Sequence, residues 1–351
     1  MAEPTVTFSR GLPVEIGQID RELKKLWEQA EGSSTRASLM NLAVYCDGET
    51  AMIQNTELIS SFTADHACRS IVIAVEPASS ANRVQAWISA HCHMSRAGEK
   101  QVCCEQISFL LEGSSKGVFP NILFSHLDSD LPLYLWWQSE FREPLEAQLR
   151  TWVDRLIFDS ASWSGWREPF AFLNDSLKGS RLTLCDLNWT RTLYLRQALA
   201  QLFDDPVNLP YLDCVQKWNA TYAPGFQLTA LLFVGWLAAQ LGWELVEAGK
   251  DLFVYKSASG QQVQGKLDQK EGAPISECVL ACNDAVFRFA RDPGSDFFHA
   301  DFNLPDGCER HYLLPAGREE KIALLDQELM QGGKHRVYLK ALLAAEPLFE
   351  R

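Results

Sequence analysis

Soft sulfur and imidazole groups gather in one short stretch. His91-Cys92-His93 is followed by Cys103-Cys104, and thiolate with imidazole is a donor set that suits zinc. On a strand His91 and His93 share one face, and a paired strand brings a thiol beside them. Adjacent cysteines face opposite ways, so only one of Cys103 and Cys104 can join. The spacing matches no established zinc pattern, and two half-buried strands carrying small polarisable side chains explain it more simply. A redox-active pair from the same stretch is an equal alternative.

Two other patterns could carry chemistry. Gly113-Ser114-Ser115-Lys116-Gly117 satisfies G-x-S-x-G, in which the glycines allow a tight turn that exposes the serine as a nucleophile. Asp284 and His299 follow Ser115 in the order such a triad needs, but they fall among short strands. Five-residue patterns of Gly and Ser are common in polar connections, and that is the preferred reading. Asp128-Ser129-Asp130 resembles a metal-binding D-x-D, yet carboxylates ahead of a strand are ordinary turn residues, and Pro132 follows closely. There is no G-x-G-x-x-G and no Walker-type loop, so the sequence offers no recognisable cradle for a nucleotide, and no cofactor is expected.

The 351 residues carry a formal net charge of −13, with 47% hydrophobic and 22% charged residues. That composition is ordinary for a soluble globular protein, and the length favours two domains. An acidic surface repels phosphate backbones and anionic lipid, so neither nucleic acid nor membrane is expected as a partner. The first residues lack a basic region followed by an apolar one, and Leu228–Leu241 is too short to span a bilayer. A cytoplasmic location follows. The ten cysteines are scattered without C-x-x-C and read mostly as reduced core thiols, with redox regulation open.

Periodicity sets out the elements that position these groups. Ile16, Ile19, Leu23, Leu26 and Trp27 mark a helix between Pro13 and Ala30. Leu39–Tyr45 reads as a buried strand, 51–66 as a helix and Ile71–Val75 as the next strand, which together suggest a βαβ unit in a parallel sheet. Arg83–His93 and Gln101–Leu111 form a hairpin around Gly98. Leu133–Trp137 and Arg155–Phe158 are further strands, and the region to about Leu245 is mainly helical. Short runs at regular spacing after Glu247 predict an antiparallel meander, closed by helices from Arg318 and after Gly333. The expected fold is α/β: a mixed, mostly parallel N-terminal sheet with covering helices over 1–247, then a C-terminal α+β antiparallel meander with helices over 248–351.

The eleven tryptophans include Trp136-Trp137, which must face opposite ways on a strand. At this point, Asp130–Trp137 (DLPLYLWW), the chain resembles the glucose-6-phosphate dehydrogenase assembly protein (OpcA) family. The likeness continues through Arg155–Ser160 (RLIFDS), Asp186–Arg191 (DLNWTR) and Leu232–Trp243. Thr35–Tyr45, Arg69–Ile73 and the SAHCHMS and QVCCEQI segments also look like the family's N-terminal region.

That resemblance implies a non-catalytic protein that binds glucose-6-phosphate dehydrogenase, promotes assembly of its oligomer and activates it allosterically in the oxidative pentose phosphate pathway. Asp130, Trp136, Trp137, Arg155, Asp159, Trp189 and Arg191 lie in the matched motifs and are the expected partner contacts. Each has a plainer role in holding the fold, and Arg155–Asp159 or Asp186–Arg191 could be internal ion pairs. A sugar-phosphate pocket using Arg155 and Arg191 is a further option. The competing functions are a hydrolase using Ser115, a metal enzyme using His91 and His93, and a thiol-based modulator of the same dehydrogenase using Cys92, Cys103 or Cys104.

Overall fold

Strands with apolar side chains on both faces must lie inside a covered sheet. Leu42, Ala43 and Val44 are fully buried, as are Ile71, Val72, Ile73 and Ala74. The computed structural model describes residues 10–29, 34–94, 101–250, 252–283, 285–304 and 309–349. The Gly98 turn, Gly32, Ser33, Asp284 and Cys308 lie outside the described residues. The chain divides into two compact units, Met1–Phe158 with Ala171–Cys185, and Asp159–Phe170 with Asp186–Arg351.

The strands of the first sheet are β1 (Leu12–Val14), β2 (Ser34–Arg36), β3 (Asn41–Asp47), β4 (Arg69–Glu76), β5 (Val84–Met94), β6 (Gln101–Glu112), β7 (Leu133–Trp137), β8 (Arg155–Phe158) and β9 (Thr183–Asp186). Helices α1 (Ile19–Gln29), α2 (Gly48–Phe62), α3 (Phe119–Ser125), α4 (Ala147–Trp152) and α5 (Arg167–Leu177) intervene. The order is β1-β5-β6-β4-β3-β7-β8-β9, with β2 against β6. β3 is parallel to both β4 and β7, β4 to β6, and β7 to β8. Strand succession runs outward from β3 through β4 to β6, then returns to β7 on its other side. This is the doubly wound arrangement, and its topological switch point lies between β3 and β7.

The predicted hairpin forms, with β5 antiparallel to β6. Residues 128–131 form the predicted turn before β7. Asn41 is fully buried and ties that turn down: its Nδ2 donates to the carbonyls of Asp128 (2.9 Å) and Leu131 (3.1 Å), and its Oδ1 accepts from Asp128 N (2.8 Å).

The second sheet contains β10 (Val215–Tyr222), β11 (Glu244–Ala248), β12 (Leu252–Lys256), β13 (Gln262–Gln269), β14 (Ile275–Cys282), β15 (Ala285–Ala290), β16 (Phe297–Asn303) and β17 (Glu309–Pro315). Its helices are α6 (Leu187–Thr190), α7 (Leu193–Phe203), α8 (Gln227–Leu241), α9 (Lys321–Met330) and α10 (Arg336–Ala345). The meander is real but interrupted. β10 inserts between β13 and β14, parallel to the first and antiparallel to the second. The change of texture at residue 247 is therefore not where the units divide, because β10 and α8 already belong to the second. Alternation buries one face, with Phe287, Phe289, Phe298 and Phe302 inward, as an antiparallel sheet with one solvated face requires. Phe203 of α7 packs on Phe287 with ring centroids 4.8 Å apart.

Gly265 on β13 marks the tightest point of this sheet. Trp218, its register partner on β10, crosses over it and stacks on Phe253 at 5.7 Å. A Cβ on Gly265 would lie 1.7 Å from the Trp218 ring. Gly265→Ala should therefore lower unfolding stability by about 3 kcal/mol through overpacking. Denaturant unfolding checks this, and an unchanged midpoint contradicts it.

Candidate functional site

The carboxyl ends of β3 and β7 open onto a cavity of about 470 Å³ within the first unit. Its aromatic wall follows from strand register. Parallel pairing sets Tyr45 beside Trp137, and their rings stack at 3.9 Å and 7°. Phe141 stacks near Trp137 at 5.4 Å, and Phe119 meets Tyr45 edge-on at 5.0 Å. The loop after β7 is fastened from two sides. Gln138 N donates to the Tyr45 carbonyl at 3.0 Å, and the Gln138 and Asn55 side-chain amides bond reciprocally at 2.7 and 2.9 Å.

The rim is acidic. Among the described residues, Asp47, Glu140, Glu143 and Glu146 line the cavity together with Arg142. Asp47 accepts from Ser139 Oγ at 2.7 Å. Burial pushes the Tyr45 phenol up to about 12, and the charges of Asp47 and Glu143 push in the same direction. The site therefore carries a negative potential.

In doubly wound sheets this crevice is where a dinucleotide sits, its pyrophosphate on the N-terminus of the first crossover helix. The residues present do not fit one. The turn from β3 into α2 reads Cys46-Asp47-Gly48-Glu49, so carboxylates stand where phosphates would approach. Glu49 is paired with Arg10, which leaves Asp47 to repel an anion.

A second polar centre lies inside the second unit. Asp186 is 1% exposed and accepts from Ser160 Oγ (2.6 Å), Ser160 N (3.1 Å), Asn188 N (2.9 Å) and the Tyr338 hydroxyl (3.2 Å). Asn188 extends the network by donating to Ser160 Oγ at 3.0 Å and accepting from Thr229 Oγ1 at 2.5 Å. Beside it Arg191 grips Asp159 in a bidentate pair at 2.7 and 2.5 Å. Ser160, Asn188 and Thr229 are fully buried, so this centre is built to hold α6 against neighbouring segments and not to meet a substrate.

The expected contact residues therefore separate. Trp136 and Trp189 are 2% and 4% exposed and pack inside their units. Trp189 lies under the Arg196 guanidinium at 3.3 Å. Asp159 and Arg191 neutralise each other in an internal ion pair within the second unit. Arg155, in the first unit, donates toward Cys185 Sγ at 3.6 Å and lies 5.6 Å from the Tyr134 ring. Asp130 is exposed at its turn, and Trp137 lines the crevice. Tyr45, Phe119 and Phe141 were not singled out from the sequence. The signal that finds them is topological, since the ends of β3 and β7 flank the switch point.

The histidine–cysteine stretch is organised differently from a metal site. Cys92 and Cys103 are register partners on β5 and β6 and form a disulfide. Neither is a free thiolate, and their expected place among reduced core thiols is corrected. Cys104 pairs across from His91 and shares its face, but burial pushes its thiol up and its Sγ points to the Ala37 carbonyl at 3.7 Å. His91 bonds Gln106 Oε1 at 2.8 Å and His93 bonds Thr63 Oγ1 at 3.1 Å. Burial also pushes Cys46, Cys68 and Cys278 up to about 12, which leaves them poor nucleophiles. Ser115 falls within a 3-10 turn, Gly113–Val118, between β6 and α3. His299 belongs to β16 in the other unit, and Asp284 lies outside the described residues.

Fold and site together define a doubly wound α/β unit joined to an antiparallel α+β unit, with a switch-point crevice hostile to phosphate. Two family models match the chain, one described as glucose-6-phosphate dehydrogenase subunit N-terminal domain over residues 60–176, the other as its C-terminal domain over 182–342. The chain belongs to the glucose-6-phosphate dehydrogenase assembly protein (OpcA) family. It is 25% identical over 283 residues to a Synechococcus elongatus protein named as OxPP cycle protein OpcA, covering 74% of this chain and 63% of that one. A Nostoc punctiforme protein of the same name is 24% identical over 298 residues, covering 76% and 62%. The matched region thus spans under two thirds of these relatives' length. Among solved structures, the aldose-aldose oxidoreductase from Caulobacter crescentus has a TM-score of 0.48 at 9% identity, covering 88% of this chain and 95% of that one. The UDP-N-acetylglucosamine 3-dehydrogenase GnnA of Acidithiobacillus ferrooxidans has 0.45 at 10%, covering 90% and 97%. No helix among the described residues is long and apolar enough to cross a membrane.

The buried carboxyl makes a pH prediction. Burial, aided by the Asp159 charge, pushes Asp186 from 3.8 to about 7 against the lowering hydrogen bonds from Ser160 and Asn188. Because the folded value lies above the unfolded one, the stability it contributes is complete below about pH 4 and is lost as pH rises toward 7. Asp186→Asn cannot ionise. The stability of the wild type relative to this variant should fall across that window, by at most ~1.4 kcal/mol per pH unit. Paired denaturant titrations check it, and a difference that grows with pH contradicts it.

Proposed function

We propose that this chain is a non-catalytic assembly factor and allosteric activator of glucose-6-phosphate dehydrogenase, acting in the cytoplasm on the oxidative pentose phosphate pathway. The observation that carries this reading is that both halves match models described as domains of a glucose-6-phosphate dehydrogenase subunit. An acidic switch-point crevice supports it, because a chain that repels phosphate there is ill suited to hydride chemistry with a dinucleotide. An activator works by binding one state of its partner more tightly than another, and it shifts the equilibrium only by that difference. Trp137, Asp130 and Arg155 are motif residues with surface to offer such a partner.

A thiol-based modulation of the same dehydrogenase is favoured by one specific observation, the Cys92–Cys103 disulfide, whose Cys92 side is exposed. A dithiol reductant would open it by two-electron exchange, leaving two cysteine thiols and an oxidised reductant.

The test titrates this protein into the same organism's glucose-6-phosphate dehydrogenase across a range of glucose 6-phosphate, with sizing of the mixture. Oxidised and dithiothreitol-reduced protein are compared. The expected result is a saturable shift in substrate dependence of about fivefold or more, or a larger complex. No change in either state removes the helper reading. Identical curves from both states remove the thiol modulation alone.

A further inference from the structure

The crevice between β3 and β7 has two halves of different chemistry. Inside, Tyr45, Phe119, Trp137 and Phe141 form a continuous aromatic wall. Four carboxylates and the Arg142 guanidinium also line the crevice among the described residues. A ligand that matches both must have an apolar stem and a cationic head. Arginine has this form: its methylenes lie along apolar surface while the charged end reaches outward, and its planar fork pairs with carboxylates in two parallel bonds where a lysine offers only a point charge.

A further observation points the same way. The chain's net charge of −13 steers basic segments toward it and phosphate-bearing ligands away.

We propose that the switch-point crevice receives an arginine side chain from a basic segment of the partner protein, with the stem along the aromatic wall and the guanidinium among Asp47, Glu143 and Glu146. This rests on the reading of the chain as a protein that binds the dehydrogenase. It converts a crevice that holds dinucleotides in other doubly wound sheets into a docking pocket for protein.

The test uses the full chain and follows tryptophan fluorescence. An acetylated and amidated Gly-Arg-Gly peptide is titrated in, and compared with the same peptide carrying citrulline, which keeps the shape and removes the charge. NADP+ is titrated separately. The double variant Glu143→Gln, Glu146→Gln changes only exposed side chains, so folding is preserved, and its complex with the dehydrogenase is measured beside the wild type's.

The expected result is saturable binding of the arginine peptide, roughly tenfold weaker for citrulline, with a comparable weakening of both peptide and dehydrogenase binding in the double variant. Equal response to both peptides, or response to neither, overturns the proposal. So does saturable NADP+ binding with the arginine peptide inert. If the double variant binds the dehydrogenase as tightly as the wild type, the pocket assignment fails while the helper reading stands. If the wild type discriminates the peptides but does not bind the dehydrogenase, the pocket stands and the partner is a different protein.

Discussion

Parallel pairing of β3 with β4 on one side and β7 on the other is the constraint on which the first unit depends. β3 is buried on both faces, so its neighbours cannot slip without exposing their apolar residues. Asn41 pins the register at the start, by tying the 128–131 turn to the base of β3. Three and four residues on, the same register sets Val44 beside Trp136 and Tyr45 beside Trp137. The pleat then sends the two tryptophans to opposite sides. Trp136 fills the core at 2% exposure, while Trp137 becomes the wall of the crevice. One strand thus serves both stability and the site.

The second unit adds to its eight-stranded sheet a buried polar centre. Asp186 caps the start of α6 through Asn188 N and holds Ser160 through backbone and side chain. Such a centre is stable only if every member is satisfied. Four donors reach Asp186, and the neighbouring Asp159 charge is matched by Arg191 in a bidentate pair. The motif residues RLIFDS and DLNWTR meet here because each contributes one half of the network. They fix the unit's interior, where the side chains of Trp189, Asp159 and Arg191 are largely buried.

Much of this was legible in the chain. LYLWW and IVIAV are short apolar runs, and both are strands with the expected neighbours. The hairpin at residues 84–112 was equally clear, and its register contained more than periodicity expresses. Once Met94 faces Gln101, Cys92 must face Cys103, and the disulfide follows from register. β10 was missed because VQKWNATY interleaves Gln, Lys and Asn with its buried residues and lies between helices, so neither period stands out. That omission carried the expected boundary to residue 247. The crevice was not legible because Tyr45, Phe119, Trp137 and Phe141 are far apart in sequence and meet only through the crossover to the other side of β3. Asp186 was quoted within a motif, yet its burial could not be read from a strand of four residues.

On the proposed reading, the acidic, aromatic crevice at the switch point is the face this chain offers to glucose-6-phosphate dehydrogenase. The decisive measurement is hydrogen–deuterium exchange of the full chain, alone and mixed with the same organism's glucose-6-phosphate dehydrogenase. Protection on mixing should appear in residues 138–149, where the loop after β7 forms the rim. The buried strands 41–47 and 69–76 should be slow to exchange in both states. Protection confined to the second unit, with residues 138–149 unchanged, would contradict it.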